Sequence, residues 1–460
     1  MHNSRWRFAV ARMHLLGAFM QKATMTKGLK RMRYLFNEMG LTHYGGMLLI
    51  NSFCKKLGLK RLLQTYVKFP KRSGTYHPSE LILALIYLII AGIPRIHKSK
   101  SLQYNGSLPN LIGIKKFPDP ATLRRFLHSV TPKEIRQIVH VHDLLRQKLF
   151  CLPRRQWSVV FDIDPTALTV YGKQKRARVG YNPKKRGRRC YSMFLCFEDH
   201  HQEFWHGSLM PGNVSAVIVG KHFLARCLAK IPEWVYRIRV RGDSSFYSHK
   251  FIQPLDEQGI GYTFEVQVRG PMIDKIQSLP YRSFKGDWEV GEFYYQPTKW
   301  KQVHRFVVVR RPLPEDPEET RQLSLFVMKN YGYRVLITNL ALKPENVWYW
   351  HCQRAHAELN IKELKGSFSL TKIPTKSYLA NVAYFQLLLF AYDIVSWFKR
   401  LCLSSEFRYA TLQTIRENLL VLPGRFTHSG HKNILKLPKG FIYQRVFDYA
   451  VKRIEGLTIK

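Results

Sequence analysis

The sequence predicts an α+β protein with several structural units, in which a mixed α/β core is interrupted by a β-rich insertion and flanked by helical regions. The hydrophobic pattern has a helical period up to about residue 152 and changes to the alternating pattern of strands from Ser158. Short aromatic strand patterns follow one another between residues 270 and 332. At 460 residues, the chain is also longer than one hydrophobic core usually supports.

These patterns divide the chain into five segments. They are a helical domain over residues 1–152, the first part of the core over 153–269, the insertion over 270–332, the second part of the core over 333–402, and a basic C-terminal region over 403–460.

The first segment carries two helix start signals. Asp119 stands directly before Pro120 as an N-cap, and Thr131 with Glu134 has the spacing of a capping box. The basic start of the chain, residues 1–20, also predicts a helix.

The first part of the core alternates strands and helices. SVVFDID predicts one strand from Ser158, TALTVYG a second, and SMFLCFE a third that runs toward EFWHGSL. A helix over residues 215–230, the strand WVYRIRV, a short helix ended by Gly259 and the strand YTFEVQV complete this part. Three strands followed by helix, strand, helix and strand is the order of an RNase H-like domain.

Beyond the insertion, which contains an acidic loop over residues 312–320, the strand YRVLITN predicts a return to the core. One helix is then expected from Pro344 to its stop at Gly366. The apolar run from Val382 to Phe398 is interrupted by Gln386 and Asp393, which predicts a buried core helix rather than a membrane span.

The charge of the chain points to a polyanionic partner. The net charge is +43 and the pI is about 10.1. This excess of cations is spread along the chain, which favours nucleic acid over the alternative of an anionic membrane surface. The seven cysteines include no CxxC pair, which is typical of a reduced, cytosolic protein. The short basic helices of residues 1–152 therefore suit a DNA-binding domain.

Carboxylates are scarce, with 31 Asp plus Glu in the chain, and a few occupy informative positions. Asp162 and Asp164 end one apolar run and Asp243 follows another, where open α/β sheets place their sites. Glu358 lies among cations on one helix stripe with Arg354. Three such acids suit two-metal phosphoryl transfer with Mg²⁺ or Mn²⁺. The alternative for the helix is an ordinary set of surface salt bridges.

The loop from Lys173 to Arg189 has nine Lys or Arg in seventeen residues and no acid. Because it follows the first carboxylate strand, it predicts contact with a DNA backbone beside the site. The cations expected to bind are Lys184, Lys185, Arg186, Arg188 and Arg189.

Taken together, these residues resemble a DDE-type insertion-sequence transposase. One branch of that family carries Tyr, two residues, Arg, three residues, Glu, six residues and Lys around its catalytic Glu. Arg354, Glu358 and Lys365 match this spacing, while His351 stands at the Tyr position. The sequences DPT, GYNPKKRGRRCY and RGDSSF, which begin at residues 164, 180 and 241, also resemble one group of this branch.

The resemblance implies that Asp164, Asp243 and Glu358 are catalytic and bind two divalent metal ions, Mg²⁺ or Mn²⁺. It implies that Arg354 and Lys365 hold phosphates of the transposon end. Asp162 is the rival of Asp164, which is preferred because the family pattern places the acid two residues before Thr. Within the insertion, the implied candidates for stacking on an unpaired base are Trp288 and Trp300.

The implied function is a DNA transposase that binds inverted-repeat ends, cleaves DNA and joins the freed 3′-hydroxyl to target DNA. The implied partners are double-stranded DNA of the ends and the target and a second copy in a homodimeric synaptic complex, with no membrane. The expected location is the bacterial cytoplasm, at the nucleoid. Two alternatives stay open: a catalytically dead, transposase-derived DNA-binding protein, and an RNase H-like nuclease without strand transfer.

Overall fold

The computed structural model describes residues 35–70, 74–313, 331–430 and 432–459, together with the backbone of 326–328. The chain separates into two units, Met1–Met39 and Gly40–Lys460, and the account below concerns the second. The helix predicted for residues 1–20 and most of the acidic loop lie outside the described residues.

The N-terminal part of this unit is helical, as the sequence predicts. After a short strand, β1 (Leu41–Thr42), the helices are α1 (Met47–Lys56), α2 (Leu59–Tyr66), α3 (Pro78–Ile90), α4 (Lys100–Gln103), α5 (Leu108–Leu111), α6 (Pro120–Ser129) and α7 (Pro132–Phe150). Both start signals are confirmed. The Asp119 side chain accepts a hydrogen bond from the Ala121 N–H at 2.7 Å, and Thr131 and Glu134 form a capping box.

Strands then alternate with two helices. They are β2 (Ser158–Thr169), β3 (Arg178–Val179), β4 (Arg189–Glu198), β5 (Glu203–Pro211), α8 (Ala216–Leu228), β6 (Arg237–Gly242), α9 (His249–Glu257) and β7 (Gly261–Glu265).

The prediction of two separate strands for SVVFDID and TALTVYG is wrong, because both belong to β2. Strand β4 pairs with β2 from Phe161 through Thr169 and so keeps the backbone extended. Pro165 lies beyond Ile163, the last residue of β2 that pairs with β6. A proline is tolerated there because β2 has one neighbour fewer at that point.

The insertion continues the same sheet. Its elements are α10 (Pro271–Gln277), β8 (Arg282–Lys285), β9 (Trp288–Tyr295), β10 (His304–Pro312), β11 (Phe326–Met328) and β12 (Tyr331–Thr338). Across the described residues the sheet has eleven strands in the order β3-β4-β2-β6-β7-β12-β10-β9-β8, with β5 beside β4 and β11 beside β12. The predicted return through YRVLITN is confirmed, since β12 pairs with β7.

The remaining elements are α11 (Pro344–Cys352), α12 (Ala355–Lys365), α13 (Tyr378–Cys402), α14 (Leu412–Ile415), a π-helical turn (Arg416–Leu420), β13 (Gly424–Ser429), β14 (Lys432–Lys436) and α15 (Gln444–Gly456).

The single helix predicted from Pro344 to Lys365 is wrong, because the chain forms α11 and α12 with a break at Gln353 and Arg354. A continuous helix would use the Trp350 carbonyl as acceptor for the Arg354 N–H. That carbonyl instead accepts a hydrogen bond from Arg241 Nη1 at 2.8 Å, and the Arg354 N–H donates to the His351 carbonyl. A side chain from β6 therefore ends α11.

Helix α13 lies in the middle of the main hydrophobic core. It is long and apolar enough to cross a membrane, but 89% of its most apolar stretch is buried within the protein. It packs against α3, α7 and β5, and the same core includes side chains from Met47 to Ile454. The prediction of a buried core helix is confirmed.

Candidate active site

Two carboxylates meet at one edge of the sheet because β2 and β6 are parallel neighbours. Their last paired residues are Ile163 and Gly242. Asp164 and Asp243 each follow directly, so both lie at the carboxyl end of the parallel pair.

Asp162 lies two residues before Asp164 on β2 and has a different environment. Its side chain is 1% exposed and accepts two hydrogen bonds from Arg241, at 2.6 Å from Nε and 2.8 Å from Nη2. Arg241 also contacts Asp199 and the Gln353 side chain. Burial raises the pKa of Asp162 to about 6, although Arg241 opposes the shift. Both oxygens of Asp162 are thus engaged in a buried ion pair.

Asp164 is largely buried but faces a concentration of charge. Its Oδ1 atom lies 3.1 Å from Nη2 of Arg354. Burial, followed by the nearby Asp243 carboxylate, raises the pKa of Asp164 to about 7, while Arg354 acts in the opposite direction and Glu358 adds to the rise. This carboxyl group therefore titrates near neutral pH.

Arg354 joins the two sequence-distant acids. Its Nη1 atom lies 2.9 Å from Oε1 of Glu358, one turn along α12, while its Nη2 atom holds Asp164. Burial alone would lower the pKa of Arg354, but the carboxylates of Asp164, Glu358, Glu265 and Asp243 raise it. Its Nε atom is buried without a hydrogen-bond partner among the described residues. One guanidinium group thus holds the acids of β2 and α12 together.

The Glu358 side chain is 59% exposed, with Arg354 as its ion-pair partner. Asp243 is more buried, and its Oδ1 accepts hydrogen bonds from the N–H and hydroxyl of Ser245. Burial raises the pKa of Asp243, whereas the Ser245 hydrogen bond lowers it.

Glu265 is a neighbour of the site that the sequence interpretation missed. It ends β7, whose Phe264 pairs with Gly242 of the parallel strand β6, so Glu265 lies beside Asp243. Its Oε1 lies 3.4 Å from Nη1 of Arg334. The signal was present in the sequence, since Glu265 is a lone acid near the end of a strand, as Asp243 is.

The two cations matching the family spacing have different partners, since Arg354 contacts Asp164 and Glu358 whereas Lys365 contacts Thr166. Lys365, at the end of α12, donates a hydrogen bond from Nζ to Oγ1 of Thr166 at 2.6 Å. Burial and the nearby Lys184 lower the pKa of Lys365, while Asp164 counteracts them. The loop that contains Lys184 is therefore adjacent to the acids.

Most cations of this loop are free to meet a ligand. Lys184, Lys185, Arg186 and Arg188 are exposed. Arg189 is also exposed, but it donates from Nε to the Ala177 carbonyl at 2.9 Å and so holds the loop closed.

Three aromatic or His positions have structural contacts. His351, at the Tyr position of the family spacing, is 2% exposed and lies 2.8 Å from Oγ1 of Thr263 through Nδ1. Trp288 packs against Trp348, with ring centroids 5.5 Å apart, and Trp300 packs between Tyr247 and His304. His351 therefore tethers α11 to β7, and both tryptophans already have ring partners.

The donor chemistry of the cluster suits a hard divalent cation, because carboxylate oxygens are the ligands that such ions prefer, and Asp243 and Glu358 lie near enough to Asp164 to add to the rise in its pKa that burial causes. In the part of the chain that the structure describes, no three His, Cys, Asp or Glu side chains are close enough together to hold a metal ion. Arg354 occupies the position between Asp164 and Glu358. A metal ion held by both of these acids would therefore have to displace the Arg354 guanidinium.

Residues 25–459 match the sequence model of a protein family described as transposase DDE domain group 1. The chain belongs to this DDE transposase family. The resemblance inferred from Arg354, Glu358, Lys365 and the shorter motifs is thereby confirmed. DDE transposases transfer phosphoryl groups of DNA and generally use divalent metal ions.

Two solved transposase structures are similar to this DDE transposase. A cryo-EM structure of the piggyBac transposase synaptic complex with hairpin DNA has 12% identity and a TM-score of 0.42, over 95% of this chain and 84% of that chain. The Mos1 transposase paired-end complex with the left transposon end has 9% identity and a TM-score of 0.18, over 42% of this chain and 60% of that chain. No curated protein matches the sequence.

Proposed function

We propose that this transposase binds the inverted-repeat ends of an insertion sequence and catalyses metal-dependent cleavage and strand transfer of DNA. The observation that carries the proposal is the convergence of Asp164, Asp243 and Glu358 around Arg354. These acids come from three different elements and are far apart in a sequence in which acids are scarce.

The sheet supports an RNase H-like assignment for the core. In chain order, the first five long strands are β2, β4, β5, β6 and β7, and they lie side by side as β5-β4-β2-β6-β7. The first, fourth and fifth of them are parallel, and β4 is antiparallel to β2. We infer an RNase H-like core from this order, with the acids at the carboxyl end of its parallel strands.

We assign Asp164, Asp243 and Glu358 as ligands of two Mg²⁺ or Mn²⁺ ions. When bound, such ions activate the attacking oxygen and stabilise the leaving oxygen of a phosphodiester. The chain's own contribution is positioning: Arg354 and Lys365 hold DNA phosphates beside the acids, and β2 and β6 keep Asp164 and Asp243 at adjacent positions. We prefer Asp164 to Asp162 as a ligand, and the engagement of both Asp162 oxygens by Arg241 supports this choice.

The charge supports double-stranded DNA as the partner. The net charge is +43, and Lys184, Lys185, Arg186 and Arg188 are exposed on a loop next to Lys365. Homodimerisation in a synaptic complex, and action at the bacterial nucleoid, follow from the family resemblance and belong to the same proposal.

The deciding experiment is Asp243→Asn. Asn keeps the shape of the side chain but removes the charge that a divalent cation requires, so Mg²⁺-dependent cleavage of DNA flanking the gene is expected to fall by at least about 10³-fold. Binding of the same DNA is expected to persist, since removing a negative charge does not weaken attraction to phosphates. Cleavage products are measured by sequencing and binding by gel shift.

Asp287→Asn is the matched control, because Asp287 is exposed in the turn between β8 and β9 and carries the same charge. It is expected to cleave as the unmodified protein does. Cleavage by Asp243→Asn at the unmodified rate would refute the metal-site assignment. Wild-type protein that binds DNA without cutting it would indicate a catalytically dead binding protein, and products cut but never joined would indicate a nuclease.

A further inference from the structure

A basic groove lies beside the acids and extends beyond Lys184, Lys185 and Lys365, the lining residues that the proposed function already assigns to DNA. Its volume is about 630 Å³, and it runs between the N-terminal helices and the end of β2. The Lys and Arg residues that line it are Arg95, Arg124, Lys184, Lys185, Lys365 and Lys372. Among the described residues lining it there is no Asp or Glu. A groove with this charge attracts a polyanion.

The groove begins at the candidate active site. Lys365, one of its lining residues, donates a hydrogen bond to Thr166, which lies two residues after Asp164 on β2. From there the lining follows β2 through Ala167 to Val170. A chain bound in this groove is therefore continuous with one bound at the acids.

The cations come from separate parts of the sequence. Arg95 precedes the 3₁₀ helix Ile96–Ser99, Arg124 lies on α6, and Lys184 belongs to the basic loop. The side chains of Arg95 and Arg124 are exposed, which leaves them accessible to a ligand. Their convergence is a property of the fold and not of a local run of charges.

The size and the aromatic wall favour one DNA strand over a duplex. The volume lies within the range of about 300–1,000 Å³ typical of sites for small ligands, so a short stretch of one strand fits. Tyr171, which lines the groove, is 77% exposed. Cations that follow the backbone and an aromatic ring on which a base can stack are the usual features of single-strand binding.

We propose that this groove holds a single-stranded segment of DNA adjoining the cleaved phosphodiester, with Arg95 and Arg124 contacting its phosphates. The inference rests on the proposed function, since it names the DNA strand that leaves the same site. It also gives the N-terminal helices a direct contact with the reacting strand.

The test compares two double variants of the full-length protein. Arg95→Ala/Arg124→Ala removes two cations from the groove. Lys98→Ala/Arg125→Ala is the matched control, because both side chains are exposed neighbours of the first pair and neither lines the groove. The probe is fluorescein-labelled oligothymidylate, with a blunt duplex of the same length for comparison, and anisotropy is measured in EDTA over a range of KCl concentrations.

The groove variant is expected to bind the oligothymidylate about tenfold more weakly and to lose roughly 0.7 in log–log salt slope per phosphate contact, while the control stays near the unmodified protein. Tyr171→Ala is expected to weaken the same complex without changing the salt slope, because a ring carries no charge. Thermal unfolding of each variant confirms that it is folded.

Equal losses in the two double variants, or no loss in the groove variant, would overturn the proposal. Weaker binding of the duplex alone would overturn its single-strand part. Because these assays contain EDTA, they do not depend on catalysis. Failure of the groove is therefore distinguishable from failure of Mg²⁺-dependent cleavage in the unmodified protein.

Discussion

Arg354 and the acids around it show how one residue's environment sets the chemistry of the site. The guanidinium lies 3.1 Å from Asp164 and 2.9 Å from Glu358, and it also interacts electrostatically with Glu265 and Asp243. Without it, several carboxylates would repel one another in a largely buried place. A cation supplied by the protein therefore stabilises the same acids that we assign to a divalent metal.

A test at the residue scale follows from the raised pKa of Asp164. The unfolded carboxyl has a pKa near 3.8 and the folded one about 7, so stability contributed by the neutral form is full below the lower value and is lost as pH rises through about 7. Asp164→Asn removes this ionisation. In EDTA, the unfolding free energy of the variant relative to that of the unmodified protein is expected to rise by roughly 1–3 kcal/mol when the pH is raised from about 5 to about 8.

Urea unfolding at the two pH values measures this gain. The exposed Asp287→Asn variant is the control, and its stability should change with pH as that of the unmodified protein does. If Asp164→Asn also kept the unmodified pH dependence, the carboxyl of Asp164 would not titrate in this range.

Helix α12 carries both Glu358, which we propose as a metal ligand, and Lys365, which we propose as a phosphate contact. Glu358 lies in its first turn and Lys365 at its end, where cations also interact favourably with the helix dipole. Lys365 points to Thr166 on β2, whereas Lys362 lines a separate cavity on another side of the helix. The two lysines thus share one helix but face different surroundings.

Lys365→Ala is therefore expected to weaken binding of transposon-end DNA and to reduce the magnitude of its salt slope by about 0.9, the value for one phosphate contact. Because Lys365 is half-buried and donates to Thr166, the change is expected to cost roughly 0.5–1.5 kcal/mol of unfolding free energy, as for one lost hydrogen bond. Lys362→Ala, one turn earlier and exposed, should leave the slope unchanged. A large loss of melting temperature with normal DNA binding would assign Lys365 a structural role instead. Salt titration by anisotropy measures the slopes.

At the scale of the whole molecule, α13 connects the N-terminal helices to the sheet that carries the acids. Its Asp393 is fully buried. One oxygen of this carboxyl lies 2.7 Å from Nε2 of His142 on α7, and the other accepts the Phe204 N–H of β5 at 2.8 Å. Burial raises the pKa of Asp393 well above its ordinary value and lowers that of His142 well below its own.

Asp393→Ala would leave His142 and the Phe204 N–H buried without partners, which is expected to cost roughly 2–4 kcal/mol of unfolding free energy. Denaturant unfolding, followed by tryptophan fluorescence, measures the loss. Asp448→Ala, at an exposed position on α15, is the control and should change little. If Asp393→Ala lost no more unfolding free energy than this control, the carboxyl of Asp393 would not hold α13 to α7 and β5.

The sequence by itself determined the features that depend on neighbouring residues. Helical and alternating periods predicted the class and most elements, Asp119 and Thr131 marked helix starts, and the i, i+4 spacing placed Arg354 beside Glu358. The apolar run around Phe390 predicted a buried helix. Such features are set by backbone period and capping, which act over a few residues.

The tertiary structure alone decided what depends on residues far apart in the chain. Arg241 binds Asp162, which is 79 positions away, and the Trp350 carbonyl, which is 109 positions away. The first contact holds Asp162 in a buried ion pair, and the second ends α11 early. The register of β6 with β7 placed Glu265 beside Asp243, and the packing of α6 against the core brought Arg124 to the groove. Strand register and side-chain packing select these contacts, and both depend on which distant segments pair, which the period within one segment does not specify.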